Sequence, residues 1–235
     1  MTTSNFDTLD AVLAYLSSQE GSCFFRGQSP DNRLLNCTLA RELRRETKYL
    51  PPNYIPIEPL SEWTVPNLCG YHMDFCYKWF NYEGVFCPPG GDPVFELIRH
   101  LQQEPEKPKI RGSIAPKHPT PALEFSESPL TALYFASKKN EYDGGIFLIN
   151  REHLEIHHSF ENALIEMAQT GKATPCFIDP IVKVNDIEQL KIKRQKPVYI
   201  FQRDLRFPID HYLSIQKLTI KKELKKNGMP KFSPF

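Results

Sequence analysis

The residues most able to do chemistry in this chain of 235 form two short blocks, far apart in sequence. The first is Phe25-Arg26-Gly27-Gln28, which closes a β-prone run that opens at Ser22. A guanidinium at a strand end, beside a residue with no Cβ, suits a phosphate or a ribose edge, because a ligand can come close to the main chain there. The same four residues also suit an Arg stacked on surface aromatics or paired with a nearby Glu. The second block is Glu124-Phe125-Ser126-Glu127-Ser128-Pro129, between a short strand pattern at Ala122 to Phe125 and a helix pattern at Pro129 to Lys138. Two hydroxyls and the free N–H groups of a helix start attract anions. Ser128 as a plain N-cap, with Tyr134 and Phe135 filling core, explains the same residues without a ligand.

Cys69, His72, Cys76 and Cys87 follow the order Cys-x2-His-x3-Cys-x10-Cys, with soft ligand atoms of the kind a structural zinc takes. Tyr71, Phe75, Tyr77, Trp79 and Phe80 around them favour one packed helix whose cysteines act as small apolar groups, so no metal is expected. His157 and His158 are adjacent and would point apart on one element, which favours a solvated loop. The chain lacks Gly-x-x-x-x-Gly-Lys-Ser/Thr, Gly-x-Gly-x-x-Gly, His-Glu-x-x-His and Gly-x-Ser-x-Gly. The common nucleotide hydrolases, dehydrogenases, zinc proteases and α/β-hydrolases are therefore disfavoured.

The elements that must position these groups come from a chain that is 40% hydrophobic and 24% charged, with 29 Lys and Arg against 28 Asp and Glu. Such a balance excludes a disordered tail and gives no general pull towards nucleic acid. No apolar run reaches membrane-spanning length, and the opening MTTSNFDTLDAVLAYL lacks the plan of a secretory signal, so the expected compartment is the cytoplasm. Six sparse cysteines are then expected to be reduced.

Leu9, Val12, Leu13 and Leu16 predict an amphipathic helix with Asn5 or Asp7 as cap. Helices are also expected at Thr38 to Lys48, Leu68 to Tyr82, Asp92 to Gln103, Glu161 to Gln169, Asp186 to Arg194 and Lys221 to Lys226. Strands are expected at Gly145 to Ile149, Val198 to Phe201 and Ile215 to Ile220. Five prolines between Glu104 and Pro121 mark a long loop suited to a lid or a partner contact. Mixed elements without βαβ alternation predict one α+β domain over residues 1–235.

Read in order, Phe25-Arg26-Gly27-Gln28-Ser29, Ser128-Pro129-Leu130-Thr131-Ala132-Leu133-Tyr134-Phe135-Ala136, Arg194-Gln195 and the closing Gly228-Met229-Pro230 resemble the FRG domain, named for its (Phe/Tyr)-Arg-Gly signature. The resemblance spans most of residues 20–234, with two specific blocks. Where that family usually has Asp-Trp-Thr, this chain has Glu124-Phe125-Ser126. FRG domains have been likened to ADP-ribosyltransferases, which implies a split antiparallel β core with surrounding helices and, here, a helical and Pro-rich insertion at about 50–120.

The resemblance further implies NAD as co-substrate, with Arg26, Ser126 with Ser128, and Gln195 in the ligand order of that fold. The implied NAD-binding set is Arg26, Gly27, Gln28, Ser126, Ser128 and Tyr134, with Phe125 a second aromatic face for the nicotinamide. The implied catalytic set is Arg26, Gln195 and Glu124; Gln195 carries no negative charge, so either Glu124 or Glu127 approaches the ribose or the site works with positioned amide dipoles. The expected function is an ADP-ribosyltransferase toxin of a toxin–antitoxin or phage-defence module, restrained by an antitoxin protein. RNA is a plausible target, since Arg41, Arg44, Arg45 and Lys48, and again Lys191, Lys193, Arg194 and Lys196, offer cations. The alternatives are a non-catalytic FRG module that binds a nucleotide or protein, and an interaction domain that uses its Pro-rich segments.

Overall fold

The computed structural model of the chain describes residues 2–30, 34–44, 59–83, 92–94, 96, 98, 120–179 and 196–228; at 2, 3, 5, 75–83 and 226–228 it describes the main chain alone. Among these residues, strands β1 (Thr2–Asn5), β2 (Cys23–Gln28), β3 (Ala122–Ser126), β4 (Gly144–Asn150), β5 (Glu155–His157), β6 (Cys176–Ile178), β7 (Pro197–Phe201) and β8 (Ile215–Ile220) form one curled sheet. Its order is β1-β8-β4-β2-β3-β7-β6-β5. The central pairs are antiparallel, as expected, but β1 with β8 and β5 with β6 are parallel, so the sheet is mixed. Helices α1 (Leu9–Ser18), α2 (Thr38–Leu43), α3 (Val65–Glu83), α4 (Pro129–Ser137), α5 (Phe160–Thr170) and α6 (Lys222–Gly228) complete an α+β domain.

Alternation along the strands sorts the apolar residues into two layers. Phe24, Phe125, Phe147 and Ile149 join a core with Leu39 of α2, Leu68 of α3 and Phe160, Leu164 and Met167 of α5. Phe25, Ile146, Leu148, Leu218 and Ile220 join the other, with Val12 and Leu16 of α1 and Ala132, Leu133 and Ala136 of α4. The stripe seen in the sequence of α1 thus meets the sheet as its spacing requires. Its cap is Thr8, whose side chain accepts from the Ala11 N–H, in place of Asn5 or Asp7. Ser159 caps α5 by the same device, and Gly171 ends that helix in the left-handed region.

Two glycines decide how closely α4 lies on the sheet. A Cβ at Gly27 would stand 1.7 Å from the Ala132 carbonyl oxygen, and one at Gly144 would stand 1.9 Å from that of Ala136. Both atoms are main chain, so neither clash is relieved by a rotamer change. The Gly of the Phe-Arg-Gly block therefore admits a helix; the close approach expected for a ligand is made by α4.

β2 pairs with β4 along its whole length, from Cys23↔Asn150 to Gln28↔Gly145, yet it meets β3 only at Phe25↔Ser126. β3 instead pairs along its length with β7. Arg26 lies inside β2, two residues short of the end at which the sequence put it. β1, β5 and β6 were not expected. The helix at Thr38 stops at Leu43, with 45–48 outside the described residues. Outside them too fall the Asp186 to Arg194 helix, most of the Asp92 to Gln103 helix and all but the last two residues of the Glu104 to Pro121 loop.

Gly27→Ala is expected to cost about 3 kcal/mol or more, measured by urea denaturation, because the helix must lift from the sheet. Gly70→Ala in α3, where nothing lies within 4 Å of the added Cβ, is expected to raise stability by up to about 1 kcal/mol. Equal effects at the two positions would contradict this packing.

Candidate functional site

Arg26 stands opposite Phe147 in the β2–β4 ladder, on the face that carries Phe24. Its half-buried side chain turns to β3, where Nη1 donates to the main-chain carbonyl of Glu124. That carbonyl faces a strand it does not pair with, so the guanidinium supplies the donor a ladder would have given. The Arg26 Nε is buried and has no hydrogen-bond partner. Burial pushes the guanidinium down to about 10; the negative charge of Glu124 opposes this and the positive charge of Arg41 adds to it. Burial holds the Glu124 carboxyl above its usual range, with Arg26 pulling the other way. Burial thus disfavours the charged form of both groups at the seam between β2 and β3, and their opposite charges limit each shift.

The hydroxyls do something else. Ser126 is buried, and its Oγ accepts from the Ser128 N–H at 2.9 Å; the Ser128 Oγ accepts from the Thr131 N–H at 3.4 Å and caps α4. Ser126 is paired with Phe25 and so shares its face, whereas Arg26, the next residue, points to the other. Both hydroxyls are thus engaged at the start of α4.

The other expected residues divide in the same way. The Arg26 guanidinium and the Glu124 main-chain carbonyl are brought together. Gly27 faces α4, and Gln28, half-buried, ends β2 opposite Gly145. Tyr134 lies on α4 with its ring edge-on to Phe135 at 5.3 Å. Phe125 is 2% exposed within the core, so it offers no face to a nicotinamide. Glu127 pairs with Arg151 at 3.2 Å on the surface. Gln195 lies outside the described residues.

His72 is fully buried, and its Nε2 donates to the Arg203 carbonyl at 2.8 Å, while burial pushes its pKa down to about 4. The Cys69 thiol is directed at the Leu164 carbonyl. Both side chains fasten α3 to its neighbours, as small buried groups do. The Cys76 side chain and Cys87 lie outside the described residues.

A second polar cluster has no counterpart in the sequence reading. Glu155, His157 and Glu166 present ligand atoms within 4.8 Å of one another, so His157 is part of a strand-borne cluster, not the solvated loop expected. Arg203, fully buried, donates from Nη2 to Glu155 at 2.6 Å, from Nη1 to Glu166 at 2.7 Å and from Nε to the Thr174 carbonyl at 2.5 Å. Lys172 also pairs with Glu155. Two fixed cations already balance two carboxylates, so a divalent ion would add repulsion. The cluster is a brace that ties β5 and α5 to the residues after β7. Its members come from three distant stretches, and no spacing in the sequence joins them.

The chain matches no protein-family model, and neither a curated protein nor a solved structure is similar to it.

Arg203→Met is expected to lower stability by roughly 3 kcal/mol, the low end for breaking a buried pair because the carboxylates are partly exposed. Zinc or manganese added to the wild-type protein is expected to leave the melting midpoint unchanged. A rise of several degrees with either metal would contradict the brace.

Proposed function

We propose that this chain is an NAD-dependent ADP-ribosyltransferase of FRG type that acts on a macromolecule. The reading rests on one observation: the Arg26 guanidinium bonds the Glu124 main-chain carbonyl where β2 and β3 come apart after a single pair, and burial disfavours the charged form of both residues. Perturbed groups of this kind, held at a seam between strands, are candidates for a functional site. The orphan Nε of Arg26 fits the anionic diphosphate of a dinucleotide.

The reaction breaks the bond between nicotinamide and ribose C1′. Nicotinamide leaves with the bonding electron pair, and positive charge develops over C1′ and the ring oxygen. A carboxylate at Glu124 stabilises that charge and accepts a hydrogen bond from the ribose 2′-OH. The target nucleophile then bonds to C1′ and gives up its proton, for which a carboxyl raised by burial is a suitable acceptor. RNA or DNA as the target, action in the cytoplasm as the toxin of a toxin–antitoxin or phage-defence pair, and an antitoxin protein that restrains it belong to the same proposal.

A second reading has its own support. Ser126 and Ser128 are engaged at the start of α4, where Ser128 caps the helix. That leaves fewer donors for a nicotinamide ribose and favours a module that binds a nucleotide without turning it over.

The two are separated by one assay and one titration. Labelled NAD is incubated with the protein and RNA, DNA or lysate. Release of nicotinamide and label on one target class are expected, with Glu124→Gln slowing release by about 100-fold or more. NAD binding by calorimetry with no release would favour the binding module. No label on any target, together with unaltered growth on induction, would overturn the enzymatic proposal.

A further inference from the structure

The brace around Arg203 holds a group that its charge balance does not need. β5 is the last strand of the sheet; it has three residues and pairs with β6 alone. Beyond that ladder, the Asp179 N–H donates to the His157 carbonyl at 2.9 Å. β5 meets α5 through side chains, and Glu155 and His157, two apart and so on one face of the strand, supply them.

The half-buried His157 is within reach of both carboxylates of the brace. Its Nε2 stands 3.1 Å from the Glu166 Oε2 on α5 and 3.9 Å from the Glu155 Oε2 on its own strand. Arg203 already meets the same two carboxylates at 2.7 and 2.6 Å, and Lys172, after α5, pairs with Glu155. On β6, Cys176 comes opposite Glu155, and burial pushes its thiol up to about 12, so it stays uncharged. His158, next along the chain, donates from Nδ1 to the Asp179 carbonyl at 2.9 Å. With the His157 imidazole neutral, two cations face two carboxylates and the charge is balanced. Burial and the positive charge of Arg203 hold the His157 pKa below its usual range, against the pull of Glu166. The bond from Arg203 holds the Glu166 carboxyl below its own usual range, so it stays ionised in mild acid.

We propose that His157 makes this brace an acid-sensitive latch: when the imidazole takes up a proton, three cations face two carboxylates in a half-buried site, and β5 parts from α5. Two carboxylates beside an imidazole would by themselves hold the proton and tighten the tie. Here Arg203 is fully buried and permanently charged, so both carboxylates are engaged before the proton arrives. A released imidazole takes up a proton more readily than the braced one. The tie is therefore intact above about pH 6.5, the ordinary His value, and is lost as the pH falls from there towards the lowered His157 midpoint.

The test is hydrogen exchange on the full chain at about pH 7.5 and about pH 5.5, on either side of the ordinary His value. It is read at the peptide spanning residues 154–160, with each rate divided by that of an unstructured chain at the same pH. Corrected exchange there is expected to rise several-fold on acidification in the wild type and in His158→Gln, and to stay level in His157→Gln. The central strand β4 is expected to show no rise in any of them, which separates local release from a global loss of stability. The His157 imidazole, followed by NMR in the wild type, is expected to titrate below about 6.5. A midpoint at or above that value would overturn the latch. So would exchange that does not rise in the wild type, that rises equally in β4, or that still rises in His157→Gln. If His157→Gln does not fold, the imidazole titration and the wild-type exchange of the two strands decide the matter. No arm involves NAD, so the result stands apart from the proposed reaction.

Discussion

A strand whose carbonyls face a neighbour that it does not pair with must find donors elsewhere, and the meeting of β2 with β3 turns on that constraint. The two strands share one residue pair, Phe25↔Ser126. Beyond it the Glu124 carbonyl is met by the Arg26 guanidinium. A buried carbonyl left unmet costs on the order of 1 to 3 kcal/mol, so the guanidinium is a structural part of the sheet as well as a candidate ligand. Both residues lose hydration there, which moves the Arg26 pKa down and that of Glu124 up, while their opposite charges limit each shift.

The neighbouring residue shows why the block is Arg-Gly and not Arg-Ala. Helix α4 starts at the end of β3, capped by Ser128, and lies across β2 so closely that Ala132 and Ala136 occupy the space a side chain at Gly27 or Gly144 would need. One strand segment therefore serves two faces: Gly27 seats a helix on one, and Arg26 bridges a seam on the other. The Ser126 and Ser128 hydroxyls belong to the helix side of this arrangement.

Much of the fold was legible because it rests on local pattern. The stripe from Leu9 to Leu16 and the proline at the start of α4 settle those helices, and Ile215 to Ile220 is a strand end to end as read. What was not legible is long-range. β1 is the polar stretch TTSN, held to β8 by main-chain pairing that no side-chain pattern announces, and β5 and β6 have three residues each. The brace around Arg203 joins residues about 10 to 50 positions apart. At the seam, the bond from Arg26 to the Glu124 carbonyl and the single pairing of Phe25 with Ser126 depend on a strand register that only the paired strands reveal.

The most direct measurement of the central claim, that Arg26 and Glu124 act on each other across the seam, is a double-mutant cycle. Stability to urea is measured for the wild type, Arg26→Met, Glu124→Gln and the double variant at neutral pH. A coupling energy of about 1 kcal/mol or more is expected, since each desolvated charge loses its counter-charge in the single variants. Additivity within about 0.3 to 0.5 kcal/mol would contradict the claim and leave the two residues as unrelated neighbours.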